Sequence, residues 1–149
     1  MVSLKSIYSV CVAVSLVVAP LGAAAQTADD SGAFSIELNT AAETENGGCR
    51  LTYVAANQSD LAFDRTAFQV GFFDADGIVT RLLLLEFGAL TAGRTKILQF
   101  DLAGTACADI SRIIVNDVAA CTLSDGSGES DFCRNDIAAT SRTAIQFSL

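Results

Sequence analysis

Apolar and polar residues alternate with period two along most of this chain. Phe34, Ile36 and Leu38 are separated by Ser35 and Glu37, the signature of a strand buried on one face. Ala41 to Gly48 reads as a turn region closed by Asn46-Gly47-Gly48. From Cys49 to Asn57, Cys49, Leu51, Tyr53 and Ala55 face one way, and Arg50, Thr52 and Val54 the other. Asn57 to Asp60 breaks that run, and Ala67 to Phe73 resumes it with Phe68, Val70 and Phe72 on one face. Asp74-Ala75-Asp76-Gly77 then joins this run to a second apolar one, Ile78 to Phe87, which is the hairpin signal of the sequence. Leu90 to Arg94 is a turn. Thr95 to Leu102 places Leu98, Phe100 and Leu102 on one face, and Ala103 to Asp109 is a loop. Ser111 to Asn116 is rich in β-branched residues, Val118 to Thr140 reads as irregular, and Thr143, Ile145 and Phe147 close the chain.

Seven strands with turns between them and no convincing helical period predict an all-β protein, an immunoglobulin-like antiparallel β-sandwich. Its expected core is Phe34, Ile36, Leu51, Tyr53, Phe68, Val70, Phe72, Leu83, Leu85, Phe100, Ile113, Val115, Ile145 and Phe147. The chain has no Trp and no cysteine pair at the spacing of antibody domains, so the likeness is one of architecture. A small closed barrel is the competing arrangement.

The first 25 residues have another character. Lys5 precedes Ile7 to Leu21, an uncharged apolar run shorter than the roughly 20 residues that span a bilayer, and Ala23 to Ala25 supply a small-residue cleavage site. This predicts a cleavable signal peptide over 1–25, a flexible polar lead over 26–32 and a single sandwich domain over 33–149. Cys11 lacks the flanking residues of a lipoprotein acceptor, having Tyr8 and Val10 before it. The expected location is periplasmic or secreted, with no stable membrane span after cleavage.

Cleavage turns five cysteines into four: Cys49, Cys107, Cys121 and Cys133. An even number in an exported chain reads as two disulfides, and the absence of C-x-x-C disfavours zinc ribbons and thioredoxin-like motifs. Spacing alone leaves three pairings open. Alternating strand directions narrow them: Cys49 and Cys107 fall at one end of the sandwich, Cys121 and Cys133 at the other, and bridged Cα atoms must lie within roughly 7 Å.

Composition closes several chemistries. Without His there is no Ser-His-Asp or Cys-His nucleophile pair and no imidazole ligand or switch. A net charge of −8 argues against a nucleic-acid partner. Asp74 and Asp76 before Gly77 do not make an EF-hand, since that register puts Phe72 first and Leu83 last; turn chemistry explains them. Asp125, Glu129 and Asp131, with Ser127, are a candidate calcium set, against the plainer reading of a solvated Gly/Ser loop. Asn116-Asp117 is either a functional polar pair or a turn cap. No pair of carboxylates is picked out for glycoside hydrolysis, and G-x-S-x-G is absent. In the run Leu82 to Leu85, Leu83 and Leu85 point to the core, leaving Leu82 and Leu84 outward, either covered by another element or forming an interface.

The stretch Asn57 to Val79, with AFQVGFF followed by DADGIV, resembles the FxLYD-like class of small β-sandwich modules in bacterial envelope proteins. Cys49-Arg50, the Leu90 to Thr95 turn (LTAGRT), Cys107, and Val115-Asn116-Asp117-Val118 with Cys121 are similar to a group of uncharacterised exported proteins of Gram-negative bacteria, often labelled by a twin-Arg signal domain. The likeness spans Phe34 to Cys121, and this chain departs from the label in lacking the Arg pair. It implies a periplasmic β-sandwich and carries no activity, catalytic residues or cofactor. The expectation is therefore a non-catalytic interaction or structural module, working through an unknown protein partner or self-association. The alternatives are a small carboxylate-dependent hydrolase and a calcium-dependent binding module.

Overall fold

The computed structural model describes residues 33–149; the signal peptide and polar lead expected over 1–25 and 26–32 lie outside the described residues. The alternating runs become strands: β1 (Phe34–Glu43), β2 (Cys49–Asn57), β3 (Phe63–Phe73), β4 (Val79–Leu90), β5 (Thr95–Leu102), β6 (Arg112–Leu123), β7 (Ile137–Ser141) and β8 (Gln146–Ser148). A 3-10 turn at Cys107–Asp109 and a one-turn helix α1 (Phe132–Asn135) interrupt them. Two four-stranded sheets form, ordered β5-β2-β1-β7 and β4-β3-β6-β8, so the arrangement is an open two-sheet sandwich and not a closed barrel.

Three expectations are corrected. Eight strands are present where seven were expected, and two pairings are parallel, β1 with β7 and β6 with β8. The region read as irregular, Val118 to Thr140, holds the second half of β6, α1 and β7. The reason lies in register. Against β3, β6 carries extra residues at Asn116 and Ala119, since Gln69 and Val70 face Asp117 and Val115, while Ala67 and Phe68 face Ala120 and Val118. Each bulge slips the in-out alternation by one residue, which erases the period-two signal. The chain end is also split. β7 joins the first sheet, an arch at 142–145 crosses the core edge, and β8 joins the second. Hydroxyls hold that arch: Ser141 Oγ donates to Ile145 O at 2.7 Å, and the amide of Ile145 donates to Thr143 Oγ1 at 3.1 Å.

Inward-facing side chains interlock between the sheets. Of the expected core, Leu83, Phe100 and Val115 are partly buried and the others fully buried. Those three stand on the edge strands β4 and β5 and beside the Asn116 bulge, where one flank has no neighbouring strand. Phe63, Phe87 and Leu90 join the core unannounced, together with Leu38 from the alternating face of β1. Tyr53 lies at its centre, edge-on to Phe87, Phe100 and Phe147 at 5.4–5.9 Å between ring centroids. Such aromatic pairs add about 0.5–1.5 kcal/mol each beyond area burial. The Tyr53 hydroxyl has no hydrogen-bond partner among the described residues, and burial pushes its pKa far above the ordinary value.

The ends are tied covalently. Cys49–Cys107 closes the end where β2 begins, with Cα atoms 4.8 Å apart, and Cys121–Cys133 closes the opposite end at 6.0 Å. These are the two pairs that strand direction selects. Asn57, 1% exposed, anchors the β2–β3 connection. Its Nδ2 donates to Leu61 O and Leu90 O, and its Oδ1 accepts from the backbone and hydroxyl of Ser59.

Candidate functional site

An open sandwich has four edge strands. β7 and β8 are five and three residues long, too short to template another chain. β5 pairs with β2 without a bulge and bears Ile97, 69% exposed, but it also carries charge at Asp101, paired with Arg50 on β2 at 2.7 Å, and at Lys96. Lys96 leans across the gap between the sheets, and its Nζ donates to Phe87 O at 2.7 Å and Ala89 O at 3.3 Å on β4. That contact covers the last part of the β4 edge only. From Arg81 to Glu86, β4 pairs with β3 residue for residue, without a bulge, and among the described residues no strand pairs with its outer edge.

The side chains along that edge are apolar. Leu82 and Leu84 are 56% and 52% exposed, and Ile78 and Val79 precede them, also exposed. Leu85 is buried and Leu83 packs against the core, as alternation requires. The leucine pair therefore stands outward and uncovered, one of the two states the sequence left open. Inward from it, Gly71 on β3 lies beneath Leu82, Ile114 and Phe73, whose side-chain atoms come within 3.5–3.6 Å of where a Cβ would sit. Neighbouring side chains thus close the space over the glycine, making a smooth apolar surface instead of a pocket. Arg112 lies over the Phe73 ring, 4.3 Å from its centroid, and Asn116 Nδ2 donates to Gln69 Oε1 at 2.6 Å. At the other end, Arg65 and Glu86 pair at 2.7 Å.

The remaining candidates are engaged in local structure. Asp125 Oδ1 accepts from the amide and hydroxyl of Ser127, which hold its carboxyl below the ordinary range. Glu129 is also lowered, chiefly by the Thr122 hydroxyl, and accepts from the Cys121 amide at 2.8 Å. Asp131 pairs with Arg134 at 3.6 Å. Among the described residues no three carboxylates or cysteines gather as a metal would require, so the structure does not bring Asp125, Glu129 and Asp131 together. Their loop is a tight reverse turn, with Leu123 N donating to Gly128 O and Ser130 N to Cys121 O. Asp74 Oδ1 accepts from the amides of Asp76 and Ile78, as a turn-forming Asp does. Asp117 caps the Val118 amide at 2.8 Å and meets Arg134 at 3.3 Å, beside a hollow of about 260 Å³. A larger hollow of about 500 Å³ lies between the β1–β2 turn and residues 101–104. Of its charged groups, Arg50 is committed to Asp101 and Glu43 to the Cys107 amide, which leaves Glu45.

Sequence reasoning found Leu82 and Leu84 but missed Ile78, Val79 and the role of Lys96. The first two were readable as apolar residues directly after a turn. Lys96 carries no local signal, because the carbonyls it covers belong to another strand.

The molecule is by class an all-β sandwich of two four-stranded sheets. No protein-family model matches the chain, and no curated protein matches it. A distant likeness exists to the solved structure of IrmA from Escherichia coli, with a TM-score of 0.49 and 14% identity, covering 76% of this chain and 89% of that one.

Proposed function

We propose that this protein is an exported, non-catalytic interaction module of the cell envelope that binds through the outer edge of β4. The observation that carries the reading is the regular, uncovered stretch Arg81 to Glu86 with Leu82 and Leu84 turned to solvent. Long, flat, apolar edges are ones that β proteins ordinarily suppress, so one that carries two adjacent outward leucines, where β5 intersperses charge and β7 and β8 are short, is a docking feature. Two disulfides support a location in an oxidising compartment. No helix among the described residues is long and apolar enough to cross a membrane.

The test compares the wild-type domain with Leu82→Lys/Leu84→Glu, both immobilised and exposed to envelope extract of the producing cells. Circular dichroism first confirms that the variant keeps its strands. A protein, including this chain itself, that the wild type retains and the variant loses supports the reading. Identical retention by the two, or none by either, overturns it.

A further inference from the structure

We infer that the occupant of the β4 edge is a second copy of this chain, paired antiparallel about a two-fold axis at Leu83; the inference rests on the interaction reading above.

Two observations carry it. The first is the leucine tract. With the two-fold axis normal to the sheet, both copies present the same face, so opposed residues must share in-out parity. Centred on Leu83, this sets Leu82 of one copy against Leu84 of the other, twice. Two half-exposed leucine pairs on the outer face then cover each other, and the two second sheets become one.

The second is charge, which is arranged head to tail along this edge. The turn before β4 carries Asp74 and Asp76, and the far side carries Arg94 in the next turn and Lys96 on β5. None of the four takes part in an ion pair among the described residues. Between Gly77 and Leu85 the only charge is Arg81, so the acidity of the chain is not concentrated here. Antiparallel pairing in this register brings the acidic turn of each copy beside the cationic end of the other. A parallel arrangement would set like against like.

Sedimentation of the signal-free chain from about 1 µM to about 1 mM, the span of weak homodimer affinities, tests the inference. The expected result is a monomer–dimer equilibrium that Leu82→Lys/Leu84→Glu weakens at least about tenfold. A charge exchange tests the register. Arg94→Asp alone and Asp76→Arg alone should each be monomeric, since each places like charges at both contacts. An equimolar mixture should dimerise again, because both contacts are then complementary. Asp76 and Arg94 are exposed, and circular dichroism checks that each variant stays folded. A wild type that stays monomeric, a dimer indifferent to the leucine changes, or a mixture no more associated than its components overturns self-pairing. The interaction reading outlives that result only if the extract experiment yields a different protein that the leucine variant loses.

Discussion

Tyr53→Phe should stabilise this protein, although the tyrosine it removes is fully buried at the centre of the core. The ring packs edge-on against Phe87, Phe100 and Phe147, contacts that phenylalanine keeps. Among the described residues the hydroxyl has no hydrogen-bond partner. A buried polar group left without a partner costs about 1–3 kcal/mol of desolvation. Its removal leaves a small void, which offsets part of the gain. The net expectation is about 1 kcal/mol, read as a higher urea midpoint at unchanged slope. The same hydroxyl predicts an alkaline limb. Burial raises its pKa above the ordinary 10.0, so the folded state keeps a proton that the unfolded state loses. Stability from this group is complete below pH 10 and falls as pH rises beyond it, by up to about 1.4 kcal/mol per pH unit. Tyr53→Phe should remove that part of the slope. The assay is clean, because the only other tyrosine is Tyr8 and the chain has no Trp. Phenolate absorbance of a fragment spanning residues 26–149 should therefore stay silent above pH 10 until the strands melt. A variant less stable by 1 kcal/mol or more, or a phenol that ionises at its ordinary value while the far-ultraviolet spectrum is native, would refute the reasoning.

Three further outcomes are expected. Removing Cys49–Cys107 by paired alanines should cost about 4 kcal/mol, and removing Cys121–Cys133 about 3 kcal/mol, because they close loops of sequence separation 58 and 12. Urea unfolding gives the order, and a costlier loss of the short bridge would contradict the chain-entropy account. Asn57→Ala should destabilise by about 2–3 kcal/mol, since it strips partners from the carbonyls of Leu61 and Leu90; a change under half of that would mean water replaces the amide. The Glu37 carboxyl, held below its ordinary 4.5 first by the hydrogen bond from Arg142 and then by that from Asn39, contributes stability that is present above pH 4.5 and is lost as pH falls through its lowered pKa. Arg142→Ala should move its titration upward by NMR, and an unmoved curve would mean the ion pair does not persist in solution.

How much of this was legible in advance follows from where each strand sits. β1 as far as Leu38, β2 and β5 were readable because each turns one face to the core without interruption, so burial maps directly onto period two; past the Asn39 bulge the rest of β1, to Glu43, read as turn. The β3–β4 hairpin was readable because Asp74 and Gly77 state their turn locally. The disulfide pairing was readable because a bridge needs only the correct end of the sandwich, and strand direction supplies that. β6 lost its signal at Asn116 and Ala119, where the bulges shift phase. β7 was hidden because its pairing with β1 is long-range, across about a hundred residues of chain, whereas β8 was readable from Ile145 and Phe147, though not its parallel pairing with β6. Leu82 and Leu84 were legible as outward-facing. That nothing covers them was not, because coverage belongs to the other strands.

By itself, then, the order of residues determined the all-strand class, the two-bridge framework and the chemistries closed by the missing histidine. These are local or compositional properties, written in neighbours along the chain. Which strands are edges, which edge is left open beside Lys96, and which core hydroxyl goes without a partner were decided by tertiary structure. Each depends on groups brought together from distant positions, and alternation at period two carries no information about what lies across the gap.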